Sequence, residues 1–220
     1  MPRDAPPDTL TVPLVRQSLS EQCRIFLLDG LLSGRWQSGD RIVERQIARE
    51  LGVSQAPVRE ALRDLQAMQL VEAVPNKGVT VRKLTLDQLS EVYEVRAALE
   101  RLAADLAVVR MAGDVSRLKP HLGNLYEAAS AGDAGSQAQS CVAFHREIVC
   151  ASGNDMLLRH WEALAVELWT RLSLRWFRTG LLENAEDHEV ILDALRRQDP
   201  CTGRLMQLHV LNCANGPSGM

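Results

Sequence analysis

The stretch Leu51–Val81, LGVSQAPVREALRDLQAMQLVEAVPNKGVTV, restricts what this chain can fold into more than any other. Gly52 permits a tight turn, Ser54 is placed to cap a helix opening at Gln55, and Pro57 falls in that helix's first turn, where a missing N–H is harmless. Along the helix Val58, Ala61, Leu62, Leu65 and Met68 recur at helical spacing and make one buried stripe, leaving Gln55, Arg59, Arg63 and Gln66 largely outside it. Those outer side chains are of the kinds that meet phosphates and base edges. The plainer alternative is a solvated face on which Arg59 and Arg63 pair with Glu60 and Asp64. Leu70–Val74 and Gly78–Arg82 then read as two short strands around Pro-Asn-Lys-Gly, a turn with a cation at its tip.

Upstream, residues 1–13 contain four prolines and read as a disordered leader. Ser18 to Leu32 repeats apolar residues at helical spacing behind a Ser18/Glu21 capping box, and Ile42–Leu51 is a short amphipathic helix. Helix, short helix, turn, helix and β-wing is the order of a winged helix-turn-helix. Downstream of a junction at residues 81–85, Thr85 and Gln88 open a long helix over 86–111. Further helices are predicted at about 114–130, 135–151, 155–178, 183–197 and 202–213, separated by Gly- or Pro-bearing breaks. The fold class is therefore mainly α: a winged helix with a small β wing, followed by an antiparallel helical bundle.

Composition supports this division. Only nine of 220 residues are aromatic, so the core must be built from Leu, Val and Ala, which favours helices. Residues 1–84 carry 12 Lys+Arg against 10 Asp+Glu, whereas 85–220 carry 13 against 18, so the first part is the better one to meet a polyanion. Five widely spaced cysteines without a Cys-x-x-Cys pair, no signal peptide and no apolar run of about 18 residues point to a reducing cytoplasm and no membrane association.

The segment SGDRIVERQIARELGVSQAPVREALRDLQAMQLVEAVPNKGVTV resembles the DNA-binding domain of GntR-type bacterial transcriptional regulators. EVYEVRAALERLAADLA, FHREIVCASGN and DHEVILDALRRQD resemble the FCD effector domain that marks the FadR subfamily. The likeness implies a 14–84 DNA-binding domain and an 85–215 effector and dimerisation domain. It implies a homodimer on pseudo-palindromic operator DNA, with repression as the expected sense of control. By position it assigns DNA contact to Arg45, to Ser54, Gln55, Ala56 and Arg59, and to the wing tip Asn76-Lys77-Gly78. Gln55 stands where the family usually has Arg; Gln pairs with adenine where Arg forks onto guanine, so a different operator is expected.

In the effector domain the likeness assigns metal binding to His145, His188 and His209, on three separate predicted helices. Imidazoles suit zinc or nickel. The family's fourth ligand, an Asp one turn before the first histidine, is here Cys141. Either its thiolate joins the site, favouring zinc, or Cys141 is a small buried apolar residue. A small carboxylate effector beside the metal would need a cation, for which Arg96 is the main candidate and Arg171 and Arg175 follow. Each has an ion-pair alternative, Arg96 with Glu100 at i, i+4. The histidines lack a general-base motif such as His-Glu-x-x-His, so an enzyme is not expected.

Overall fold

The computed structural model describes residues 18–74, 78–177 and 180–215. The expected leader and the wing-tip residues Asn76 and Lys77 lie outside them. The winged helix comprises α1 (Leu19–Leu32), β1 (Arg41–Ile42), α2 (Glu44–Leu51), α3 (Gln55–Ala67), β2 (Val71–Val74) and β3 (Gly78–Val81). Ser18 Oγ accepts the Glu21 amide at 3.1 Å, so α1 starts where its capping signal stands. The Glu21 carboxylate is turned to Arg24. Gly52, at φ +66°, ends α2 in the left-handed conformation and sends the chain into α3. Ser54 occupies the cap position but makes no side-chain cap hydrogen bond, contrary to expectation.

The buried face of α3 is Val58, Ala61, Leu62 and Leu65, with Met68 half-buried beyond its end, and it packs on α1 through Leu27. The three-stranded antiparallel sheet has the order β1-β3-β2, with Arg41 opposite Thr80 and Val71 opposite Val81. β1 is a correction to the sequence reading, which began a helix at Ile42. Ile42 pairs with Val79 in the sheet and α2 opens only at Glu44.

The bundle consists of α4 (Leu86–Met111), α5 (Lys119–Ala131), α6 (Ala134–Ala151), α7 (Asp155–Glu162), α8 (Val166–Phe177), α9 (Leu181–Arg196) and α10 (Thr202–Asn215). A complete capping box, Thr85 Oγ1 to the Gln88 amide and Gln88 Oε1 to the Thr85 amide, starts α4. α4 runs against α6 and α10, and α5 packs on α6 and α9. Two expected helices are shorter or split. α5 begins at Lys119 with Pro120 in its first turn, after a turn over 114–118. The single helix expected over 155–178 is broken at 163–165, where Ala165 adopts φ +51°. No Gly or Pro marks that break, which is why helical periodicity runs straight through it.

Candidate functional site

Two places in the fold carry chemistry. On the winged helix, Ser54, Gln55, Ala56, Arg59 and Arg63 are exposed on α3, and Arg45 is exposed on α2. Arg59 is fixed by a neighbour the sequence did not suggest. Its Nε and Nη2 lie 3.1 and 3.0 Å from Glu44 Oε2, tying the outer face of α3 to α2. An ion pair this exposed contributes little and is screened by salt, so exchanging Glu44 for a phosphate costs little. Gly78, at φ +81°, opens β3, and the Arg41 guanidinium lies 3.5 Å from the position of a Cβ there. Arg41 is thus a second cation at the wing, missed because the strand that carries it is two residues long.

The second place is the interior of the bundle. α6 aims His145, α9 aims His188 and α10 aims His209 into one buried cluster, in which ring centroids stand 5.1 Å (145–188), 4.6 Å (188–209) and 5.2 Å (145–209) apart. Cys141, one turn before His145 on α6, is buried too. Cys141, His145 and His188 each offer a donor atom within 4.8 Å of the other two; His209 is not one of that group, and its ring lies alongside the two imidazoles.

The ring protons can be placed from their partners. His145 Nδ1 lies 2.5 Å from Glu100 Oε2, and a carboxylate only accepts, so Nδ1 carries a proton. His188 Nδ1 lies 2.6 Å from the Asn184 carbonyl and is a donor for the same reason. In the neutral rings both Nε2 atoms are then lone pairs, yet they face one another at 3.2 Å. Lone pairs meet at such a distance when a cation lies between them. Two nitrogens on a tetrahedral ion with bonds of 2.0–2.1 Å stand about 3.3 Å apart. Protonation is the other way to relieve the contact, but burial pushes His145 below its ordinary value against the pull of Glu100. Burial, followed by the neighbouring His209 and His145, pushes His188 well below it. His209 is lowered by burial as well, partly offset by Asp187. The donor set therefore fits a divalent metal better than a proton.

Around the cluster α4 contributes a buried charged group. Burial alone would raise the Glu100 carboxyl, but the Arg96 guanidinium and then His145 outweigh it and hold it well below the usual range. Arg96 Nε donates to Glu100 Oε1 at 2.6 Å and Arg96 Nη1 donates to Thr170 Oγ1 at 3.1 Å. The ion pair weighed as an alternative for Arg96 is thus formed, and it sits beside the histidines. Arg171 pairs with Glu167 at 2.8 Å, the i, i+4 alternative expected for it, and Arg175 is exposed on α8. Among the described residues, three buried side-chain atoms have no hydrogen-bond partner: Tyr93 Oη, Gln137 Oε1 and His209 Nδ1. Tyr93 precedes Arg96 by one turn of α4, and Gln137 precedes Cys141 by one turn of α6. Gln137 Nε2 donates to Asn184 Oδ1 at 2.9 Å, one turn before His188. Buried polar atoms without a hydrogen bond are costly.

A signal for Glu100 was present in the sequence. Leu89, Tyr93, Arg96, Ala97, Glu100, Ala104 and Ala107 fall on one inward stripe of α4, and two charges on an apolar stripe must find each other or a partner.

A winged helix joined to an all-helical bundle with a buried histidine cluster defines a two-domain DNA-binding regulator. The comparisons name its family. Residues 19–81 match the model of bacterial regulatory proteins of the gntR family, and residues 91–212 match the FCD domain. The chain belongs to the GntR family, in its branch with an FCD effector domain, and is a transcriptional regulator and not an enzyme. It is 36% identical over 193 residues to a probable D-xylose utilization operon transcriptional repressor of Paenarthrobacter nicotinovorans, covering 88% of this chain and 85% of that one. It is 30% identical to the Nta operon transcriptional regulator of Aminobacter aminovorans, with 77% and 81% covered. The solved structure of Escherichia coli McbR/YncC superposes with a TM-score of 0.73 at 27% identity, covering 90% of this chain and 95% of that one. Among the described residues no helix is long and apolar enough to cross a membrane.

Proposed function

We propose that this chain is a cytoplasmic repressor that binds operator DNA as a homodimer and is controlled by a small carboxylate bound in the FCD bundle beside a divalent metal. The Paenarthrobacter relative is named as a repressor, and the sense of control is carried over from it. DNA contact falls to Arg45, Ser54, Gln55, Ala56 and Arg59, with the wing tip Asn76-Lys77-Gly78. Two such heads on one dimer suit a pseudo-palindromic site.

The observation that carries the metal reading is the 3.2 Å meeting of the two Nε2 atoms, each with its ring proton committed elsewhere. His145, His188 and His209 would hold the metal, with Cys141 as the fourth ligand. The thiolate favours zinc over harder ions, while a three-histidine site would accept nickel as readily. Because Glu100 already neutralises Arg96, the counter-charge for an effector carboxylate would come chiefly from the metal. The Tyr93 hydroxyl, which makes no hydrogen bond, and His209 Nδ1, 3.7 Å from Asp187 Oδ2, are further groups for it to meet.

Elemental analysis of protein purified without chelator tests this reading. It predicts close to one zinc per chain, lost on His188→Ala with the fold retained by circular dichroism. A metal-free wild-type chain would leave a regulator that reads its ligand through hydrogen bonds alone.

A further inference from the structure

Glu100 carries more than its pair with Arg96. Its Oε2 accepts His145 Nδ1, and its Oε1 accepts both Arg96 Nε and the indole N–H of Trp161, the latter two at 2.6 Å. Trp161 belongs to the last turn of α7, just before the break at 163–165. That break is where the bundle meets the winged helix. A cleft of about 730 Å³ lies between Phe26 and Leu28 of α1 and the run from Trp161 to Leu168. A second, of about 240 Å³, has Met68 and Gln69 on one side and Ala163 and Leu164 on the other. A third sets Arg24 and Asp64 against Arg159 and Glu162. Trp161 therefore has its ring at the seam between the domains and its N–H on the carboxylate that orients a histidine of the cluster.

We propose that Glu100 is the positioning residue that couples the histidine cluster to the DNA-binding domain, fixing His145 through one carboxylate oxygen and the α7–α8 seat of the winged helix, through Trp161, with the other. This rests on the metal reading above. A cation on His145 Nε2 makes Nδ1–H a stronger donor, which strengthens its bond to Oε2. Bonds to one carboxylate polarise each other, and a shift of that carboxylate changes the distance and angle offered to Trp161. The segment so addressed is less firmly specified than its surroundings: three non-breaking residues between two helices, one of them an alanine at φ +51°. Small changes at the metal are thereby delivered to the surface on which α1 and the end of α3 rest.

The test uses the full chain, labelled with nitrogen-15, and zinc alone as the probe. Four tryptophans give four indole N–H signals, and Trp161 is assigned by its loss in Trp161→Phe. Saturation with zinc should move the Trp161 signal in the wild type. In Glu100→Gln zinc affinity should fall roughly 10–100-fold, as for other partners of metal-bound histidines, and the residual zinc should no longer move Trp161. Trp161→Phe should still bind zinc, but the ratio of operator affinities with and without zinc should collapse towards one. If Glu100→Gln does not fold, the Trp161→Phe arm decides. A wild type that takes up no zinc removes the metal reading and this inference with it. A wild type that binds zinc while the Trp161 signal stays still, or whose operator affinity ignores zinc, overturns the coupling and leaves the metal reading standing. Undiminished zinc affinity in a folded Glu100→Gln chain overturns the positioning role.

Discussion

Zinc binding should release one proton, and that proton should come from Cys141. Burial pushes the Cys141 thiol up to about 11, so near neutral pH it is fully protonated. The three histidines are lowered from their ordinary value and are already neutral there. Between pH 7 and pH 9, then, Cys141 is the ligand that must ionise. At pH 7 ionising it is strongly uphill, and the metal–sulfur bond has to offset that cost. Zinc affinity should therefore rise about tenfold per pH unit across that range. Calorimetry in buffers of different ionisation enthalpy counts the proton directly, and cobalt substituted for zinc should show a sulfur-to-metal charge-transfer band. Cys141→Asp keeps a fourth ligand but one already ionised, so the proton count should drop to zero and the pH slope should flatten. Tight zinc binding by the wild type with no proton released would refute the reasoning, and would make Cys141 a buried apolar residue beside a three-histidine site.

Other consequences can be checked separately. In chelator, the lowered histidines stay neutral in the fold while the unfolded chain gains protons below about pH 6.5; stability is whole above that value and lost as pH falls. The urea midpoint should be lower at pH 5.5 than at 7.5, and the reverse order would mean the cluster welcomes a proton. A Cβ on Gly30 would stand 2.1 Å from the Trp36 ring. Gly30→Ala should accordingly cost about 1–3 kcal/mol in chemical denaturation, with zinc binding intact; no loss would show that Trp36 can move aside.

The winged helix was the most legible part of the chain because its signals are local. Gly52, Pro57 and the stripe from Val58 to Leu65 each act within one turn or one helix face, and each appears in the fold in that role. β1 was not legible, since Arg41 and Ile42 are too few to show alternation and gain their strand character from β3. The break at 163–165 lacked a breaking residue, whereas the late start of α5 had one in Pro120 that periodicity outweighed. The histidines and Cys141 were picked out by family likeness; the fold brings the donors of Cys141, His145 and His188 together and lays the His209 ring beside them. In the sequence Glu100 enters only as the i, i+4 ion-pair alternative for Arg96. Burial beneath α6 and α7 turns that spacing into a shared carboxylate; the apolar stripe of α4 signals the burial, but not that His145 and Trp161 are the groups that meet it.

The proposed regulator stands or falls with the exposed face of α3 as its reader of DNA. Fluorescence anisotropy of the full chain on the duplex upstream of its own gene tests it most directly, at low and moderate salt and against a scrambled duplex. Binding should be saturable and sequence-preferring, weaken with salt and be reduced by Arg59→Ala, by about 1–3 kcal/mol if Arg59 reads a base, or nearly uniformly across sequences if it holds a phosphate. Equal affinity for the scrambled duplex, or binding that Arg59→Ala leaves unchanged, would contradict it.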